Sequence, residues 1–108
     1  MKHRLHGAVL GFRRGILNGS ESYDKCFVIC APLHGYLSAL GEDVELVEGV
    51  VDCGEYDLQH FWLRLSDGTI IDPTADQLPR RRGKRPPKVY IGEMPPWYHF
   101  NVHLTPQD

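Results

Sequence analysis

The stretch from His60 to Thr74 constrains the fold more than any other part of the sequence. Short apolar runs lie on both sides of Ser66-Asp67-Gly68, a pattern that predicts two short strands joined by a turn. The length of the turn decides which side chains face each other, because a slip of one residue moves every side chain of a strand to the other face of the sheet. The register of this hairpin therefore determines what chemistry it can support.

Two registers fit the sequence of the turn. If residues 66–68 form a three-residue loop that ends on a left-handed glycine, Trp62 faces Asp72, and His60 lies on the same face of the sheet as Asp72. If only residues 67–68 form the turn, His60 and Asp72 lie on opposite faces. A hydrogen-bonded pair of these two side chains therefore requires the longer loop.

An apolar helix is predicted upstream of the hairpin. Ser22 or Asp24 can cap its start. Pro32 removes one backbone hydrogen bond from the interior of this helix, and if the helix instead begins there, Cys30 replaces Cys26 at its N-terminus. The predicted buried stripe has helical spacing and comprises Cys26, Ile29, Cys30, Leu33, Leu37 and Leu40.

A cysteine, a histidine and an aspartate in this arrangement favour nucleophilic thiol chemistry. A helix N-terminus and a nearby imidazolium both lower the pKa of a thiol, and a carboxylate can orient the imidazole ring. Cys26, His60 and Asp72 supply these three parts. Each also has a purely structural interpretation, as a packed thiol, a strand residue and a turn former. Trp62 would either pack in the core or bind substrate and exclude water from the site.

The other predicted elements complete an α+β fold. Residues 44–51 are predicted as a strand before the hairpin, and short strands are predicted at 88–91 and 100–104. A helix followed by a run of strands indicates one Cys-bearing helix packed on a small antiparallel sheet. Helical spacing also occurs within residues 1–19, but three glycines weaken that prediction. The length fits a single domain, 1–108.

Composition and cysteine use exclude several classes of protein. Apolar residues make up 42% and charged residues 24%, as in ordinary globular domains. The uncharged run at 27–41 is too short to span a bilayer, and the N-terminus lacks the apolar segment of a signal peptide. We therefore expect a cytoplasmic protein with no membrane partner. Three irregularly spaced cysteines do not suggest a disulfide framework, and no zinc-ligand spacing occurs, so we expect no metal and no cofactor.

A basic segment follows the hairpin, although the net charge of the chain is −2. Such a segment can bind an acidic partner or nucleic acid. Prolines and Gly83 surround its charges, however, and no aromatic residue is interleaved for stacking on bases, so nucleic acid is not the favoured partner. We expect a mobile, solvated Pro/Arg-rich loop at 79–88. Its positive charges are Arg80, Arg81, Arg82, Lys84, Arg85 and Lys88.

The hairpin and helix together resemble the transglutaminase-like superfamily of cysteine enzymes. The likeness is greatest to its small bacterial and phage branches, near the lasso-peptide leader peptidases. The resemblance is carried by Cys26, Leu37-Ser38-Ala39-Leu40-Gly41, Val44-Glu45-Leu46-Val47-Glu48-Gly49, His60-Phe61-Trp62-Leu63-Arg64-Leu65 and Asp67-Gly68-Thr69-Ile70-Ile71-Asp72-Pro73-Thr74.

The resemblance implies a papain/transglutaminase-like core over residues 22–78, followed by the loop 79–88 and C-terminal strands in 88–104. It implies that Cys26 is the nucleophile, that His60 acts as base and acid, and that Asp72 orients the ring. Cys30, one turn after Cys26, stays open as an alternative nucleophile.

The implied activity is amide chemistry through a thioester, on a protein or peptide substrate and without a cofactor. Water as acceptor gives a peptidase or deamidase, and an amine gives a transglutaminase; the sequence does not choose among them. The alternative is a non-catalytic interaction module of the same fold, which binds an acidic partner or nucleic acid through residues 80–88. The sequence does not indicate an oligomeric state.

Overall fold

The computed structural model describes residues 2–20, 25–81 and 83–100. The predicted caps Ser22 and Asp24 and the end of the predicted strand 100–104 lie outside these ranges. The α+β class is confirmed, with two helices and five strands in the described residues. The elements are α1 (Lys2–Leu17), α2 (Cys26–Ala39), β1 (Val44–Asp52), β2 (Asp57–Leu65), β3 (Ile70–Asp72), a 3₁₀ turn (Ala75–Gln77), β4 (Tyr90–Gly92) and β5 (Tyr98–Phe100).

The five strands form one antiparallel sheet in the order β4-β3-β2-β1-β5, which curves into a half-barrel. Its centre is the long β1–β2 pair, which runs in register from Val44 opposite Leu65 to Asp52 opposite Asp57. The short strands β3 and β5 flank this pair, and β4 adds to the outer edge of β3. The hairpin predicted from His60 to Thr74 therefore lies in the middle of the sheet.

Apolar side chains cover both faces of the central strand β2. Successive residues of a strand point to opposite faces, so Leu63 and Trp62 lie on different sides of the sheet. The helix-side core contains Val9, Cys30, Leu33, Leu37, Leu63, Ile71 and Val89. The core on the other face contains Val47, Val51, Trp62, Ile70, Leu78 and Tyr98.

The loop of the central hairpin has three residues, as the His–Asp hypothesis requires. Leu63 pairs with Ile71, the N–H of Leu65 donates to the carbonyl of Thr69 at 2.8 Å, and Gly68 has a φ of +92°. Glycine adopts this left-handed conformation without the steric cost that other residues incur. The two-residue alternative is therefore wrong, and the register places His60 and Asp72 on one face.

The helix α2 is continuous through Pro32 and begins at Cys26. Pro32 lies on the exposed side of the helix. A Schellman motif ends the helix: Gly41 has a φ of +93°, and its N–H donates to the carbonyl of Ser38 at 3.0 Å. The alternative start at Pro32 is therefore wrong, so Cys30 lies inside the helix and only Cys26 lies at its N-terminus.

The helix α1 forms over 16 residues in spite of its glycines. Tertiary contacts outweigh the weak local propensity: Val9 is fully buried, and the ring of Phe12 stacks on Tyr36 with centroids 5.3 Å apart. The prediction of one helix on the sheet therefore needs correction, because α1 packs beside α2. In the part of the chain that the structure describes, no helix is long and apolar enough to cross a bilayer.

The basic segment folds back toward the end of the sheet. Arg81 and Lys84 form an isolated β-bridge, and the guanidinium of Arg81 lies 4.2 Å from the ring centroid of Trp97. Arg81 also donates a hydrogen bond to the carbonyl of Asp52. The expectation of a fully solvated loop is therefore wrong for Arg81, although Lys84 and Arg85 are exposed as expected.

Because Gly49 has no side chain, the indole of Trp62 can pack directly against the backbone of β1 at this position. A Cβ atom at this position would lie 2.3 Å from Trp62 Cη2 and 2.4 Å from the carbonyl oxygen of His99. We expect Gly49→Ala to lower the free energy of unfolding by about 2 kcal/mol, because the core and β5 must shift to admit the methyl group. Gly35→Ala is the control, since a Cβ there meets nothing within 4 Å. Urea denaturation should show that this variant is unchanged or slightly more stable; equal losses in both variants would contradict the close contact.

Candidate active site

A buried histidine–aspartate pair lies where β2 and β3 meet. Nε2 of His60 donates to Oδ2 of Asp72 at 2.8 Å, and both side chains are fully buried. The predicted hydrogen bond across the hairpin is therefore confirmed. Because the aspartate holds Nε2, the atom of the ring that remains for other chemistry is Nδ1.

The carboxylate of Asp72 accepts hydrogen bonds from three different residues. Besides His60, the backbone N–H of Thr74 donates to Oδ1 at 3.0 Å, and the hydroxyl of Tyr98 donates to Oδ2 at 2.6 Å. A buried carboxylate without such donors would carry a large desolvation cost. The network therefore holds the side chain of Asp72 in a fixed orientation beside the histidine.

The environment of His60 favours its protonated form. Burial lowers the pKa of the ring, but the charge and hydrogen bond of Asp72 outweigh it, with a further contribution from Cys26, and together they raise the pKa from 6.5 to about 9. At neutral pH His60 is therefore an imidazolium. Its charge is compensated by Asp72 on one side and is available to the thiol on the other.

Cys26 is the first residue of α2, and its side chain is partly exposed. Burial alone would raise the pKa of its thiol. The hydrogen bond and charge of His60, with the backbone N–H groups of Phe61 and Phe27, outweigh burial and lower the pKa below its ordinary value.

The other two cysteines lie in environments that favour the neutral thiol. Cys30 is fully buried, its Sγ lies 3.4 Å from the carbonyl oxygen of Phe61, and burial followed by the charges of Asp72 and Cys26 raises its pKa. Burial also raises the pKa of Cys53, with Asp52 among the further causes. Of the three thiols, that of Cys26 alone therefore has a lowered pKa.

Trp62 forms an inner wall of the site. Its side chain is fully buried, its ring lies 6.2 Å from the His60 ring, and it makes an edge contact with Tyr98 at 5.0 Å. This position fits packing in the core and exclusion of water from the site. The substrate-binding role of Trp62 stays a prediction.

Arg13 of α1 holds the segment that follows Asp72. Its buried guanidinium forms a two-point ion pair with Asp76, at 2.9 and 2.6 Å. The same group donates to the carbonyl oxygens of Pro73 and Lys88, each at 2.9 Å. These bonds connect the first helix to the 3₁₀ turn and to the approach to β4, so they fix the backbone on the C-terminal side of Asp72.

Sequence reasoning missed the roles of both Arg13 and Tyr98. Arg13 lies in a glycine-rich stretch with weak helical signal, and nothing local indicates its partners, which lie 60 or more residues away. The ring of Tyr98 is part of the core on the face of the sheet that carries Trp62. A buried tyrosine usually has a partner for its hydroxyl, and that rule was the available signal for the bond to Asp72.

Tyr98→Phe is expected to lower the free energy of unfolding by about 1.5 kcal/mol, because it removes a charge-assisted bond to a buried carboxylate. In the Asp72→Asn background the same change should cost clearly less, since the amide carries no charge. Tyr90→Phe is the matched control, because its hydroxyl donates to a carbonyl at an exposed site. Denaturant unfolding of the four variants measures this coupling. A cost for Tyr98→Phe that does not depend on Asp72 would refute it.

No protein family model, curated protein or solved structure matches the chain. The site is therefore defined by its geometry. The protein has an α+β fold in which a half-buried cysteine at a helix N-terminus lies beside a buried imidazolium–carboxylate pair. Among the described residues, no three histidine, cysteine or acidic side chains come together in a way that could hold a metal ion.

Proposed function

We propose that this protein is a thiol-dependent amide hydrolase or acyl transferase with a Cys26–His60–Asp72 triad. The observation that carries the proposal is the position of Cys26 at the start of α2 beside the hydrogen-bonded pair of His60 and Asp72. The pKa of the Cys26 thiol is lowered, and that of the adjacent His60 is raised to about 9. Both shifts favour a thiolate–imidazolium pair, which is the state that attack on an amide requires.

The reaction would proceed in two halves. The Cys26 sulfur attacks the carbonyl carbon of the amide and forms a tetrahedral intermediate. Nδ1–H of His60 then gives its proton to the leaving nitrogen, and the C–N bond breaks to leave a thioester and a free amine. In the second half His60 takes a proton from water or from an acceptor amine as that nucleophile attacks the thioester, and the C–S bond then breaks to release the acid or the new amide and return Cys26 as a thiolate. Asp72 keeps the ring oriented throughout.

The start of α2 supplies hydrogen-bond donors for the developing oxyanion. The first backbone bond within this helix runs from the N–H of Ile29 to the carbonyl of Lys25, so the N–H of Cys26 precedes the regular helical bonds. We assign this N–H to the oxyanion. The N–H groups of Phe27 and Phe61 face the sulfur and stabilise the thiolate.

An activated ester tests the proposal without knowledge of the natural substrate. The protein is mixed with p-nitrophenyl acetate at pH 7, and peptide mapping locates the acetyl group. We expect a thioester at Cys26 that is discharged by water, and faster by added hydroxylamine, with release of p-nitrophenol over many turnovers. Cys26→Ala should abolish turnover, whereas Cys53→Ala should leave it unchanged. Acetylation of Cys53 in preference to Cys26 would contradict the proposal.

A groove on the other side of Tyr98 supports a second candidate, a binding module for an acidic partner. Its walls are apolar, and no acidic side chain lies among the described residues that line it. Basic side chains surround the opening, so a peptide with alternating apolar and acidic residues complements it in shape and charge. The lining includes Leu78, Pro79, Tyr90, Pro95, Trp97 and Tyr98, with Arg81, Lys84 and Arg85 as the cations.

A charge-reversal pair tests this second candidate. We expect a fluorescein-labelled hexapeptide of alternating glutamate and leucine to bind the wild-type protein, with anisotropy that falls as salt increases. Arg85→Glu should weaken binding several-fold. Lys88→Glu is the control, because Lys88 does not line the groove and its exposed side chain carries the same charge. Equal losses in both variants, or preferential binding of an oligothymidine, would contradict a peptide groove.

A further inference from the structure

An apolar surface lies immediately beside the activated thiol. Phe27 follows Cys26 in the chain, and its side chain is 51% exposed; the next residue, Val28, is 55% exposed. Because more than half of each side chain is exposed, the fold itself buries little of their apolar surface. Neither side chain is needed to fill the helix-side core, whose buried residues on α2 are Cys30, Leu33 and Leu37.

The ring of Phe27 is held in place by Phe61 of β2. The two rings make an edge-to-face contact with centroids 5.0 Å apart and an interplanar angle of 63°. Phe61 packs against the helix-side core and is only partly exposed. The pair therefore forms a preorganised aromatic surface, because one ring is fixed by the core and supports the accessible ring of the other.

The thiol lies close to the backbone N–H groups of the same two residues. The N–H groups of Phe27 and Phe61 both stabilise the negative charge on Cys26, so the sulfur is close to each of them. Any group bonded to the carbonyl that the sulfur attacks must come within a few ångströms of these residues. An apolar group on the substrate can then cover the exposed face of Phe27 and remove it from water.

We propose that Phe27 and Phe61 form a substrate subsite that selects an aromatic or branched aliphatic side chain next to the amide that is cleaved. This inference rests on the proposed thiol chemistry and specifies its substrate class. The aromatic pair supplies dispersion and area burial, and the nearby thiolate and imidazolium fix the position of the carbonyl. Specificity for the apolar group and activation of the sulfur therefore come from different atoms of the same residues.

Two alkylating reagents that differ only in an aromatic group test the subsite. In each case the sulfur forms a bond to the CH₂ carbon, iodide leaves with the electron pair of the C–I bond, and the proton stays on His60. The rate of Cys26 with N-benzyl-2-iodoacetamide is divided by its rate with iodoacetamide. The same ratio for glutathione corrects for intrinsic reactivity. We expect the corrected ratio to be about 10 for the wild-type protein, from partial burial of the benzyl ring.

Variants of the exposed ring identify the residue that produces this preference. Phe27→Ala should reduce the corrected ratio to nearly 1, and Phe27→Leu should restore part of it, since leucine keeps apolar area. Tyr36→Ala is the control: it removes another exposed ring from the same helix, at a site where Tyr36 stacks on Phe12 away from the thiol. This variant should keep the wild-type ratio.

The outcomes separate the subsite from the proposed function. If Cys26 reacts with iodoacetamide faster than glutathione at pH 6 but shows no preference for the benzyl reagent, the subsite is wrong and the thiol chemistry stands. A benzyl preference that survives Phe27→Ala also overturns the subsite. If Cys26 is no more reactive than glutathione, the proposed function fails, and the corrected ratio still decides whether the aromatic pair binds an apolar group.

Discussion

Replacement of Arg13 by methionine is expected to lower the free energy of unfolding by about 3–4 kcal/mol. Methionine fills much of the space but removes a two-point ion pair with Asp76 and both bonds to the carbonyls of Pro73 and Lys88. Loss of one partner from this partly buried ion pair is costly because the remaining polar groups keep much of their desolvation penalty. For a domain of this size, the thermal midpoint should fall by more than about 12 °C.

Arg14→Met is the matched control for that experiment. Arg14 is the adjacent residue of α1, carries the same charge and is exposed. Its replacement should change the free energy of unfolding by less than about 0.5 kcal/mol. Circular dichroism melts and urea titrations of both variants measure the difference. Similar small losses for Arg13 and Arg14 would show that the bonds made by the buried guanidinium do not stabilise the fold.

Asp72→Asn is expected to slow alkylation of Cys26 at pH 6 by about 10- to 100-fold. The carboxylate is what raises the pKa of His60 against the effect of burial, so its neutral isostere should leave the ring largely uncharged. Cys26 then loses the imidazolium, and burial, which raises the pKa of the thiol, is no longer outweighed. The fall in thiolate fraction exceeds the gain in nucleophilicity of the more basic sulfur, so the net rate falls.

Asp67→Asn provides the control for Asp72→Asn. Asp67 lies in the loop of the same hairpin, where its Oδ1 accepts the N–H of Thr69 at 2.9 Å, and the chemical change is identical. Mass-spectrometric mapping after iodoacetamide treatment should give Cys26 the wild-type rate in this variant. Cys53 should react at the same rate in the wild-type protein, in Asp67→Asn and in Asp72→Asn. If Asp72→Asn leaves the rate of Cys26 unchanged, the carboxylate does not act through His60.

The central hairpin was predictable from sequence because its signals are local. Gly68 at the end of a three-residue loop fixes the register, and the register alone brings His60 and Asp72 to one face. The start of α2 was predicted with an alternative at Pro32, because the local cost of an internal proline is real. The packing of Cys30 and Leu33 in the core beside the sheet stabilises the continuous helix and offsets the cost of the proline.

Contacts that are distant in sequence explain what the sequence did not predict. The helix α1 has weak propensity and is stabilised by residues that follow it by tens of positions. The bond from Tyr98 to Asp72 depends on β5 pairing with β1 on the far side of the sheet from β3. Arg81 was expected to be solvated because its partner, the ring of Trp97, lies 16 residues later in the sequence. No local pattern encodes such pairs.

The pH dependence of Cys26 alkylation tests the central claim most directly. Rates with iodoacetamide are measured from pH 4 to pH 10, with peptide mapping and with Cys53 as the internal control. The account predicts an inflection for Cys26 below the ordinary thiol pKa of about 8.5, a second change near the pKa of His60, about 9, and a plateau between the two. Above that pH the imidazolium loses its proton, so the plateau ends there. A single inflection for Cys26 at or above the ordinary value, indistinguishable from that of Cys53, would contradict the account.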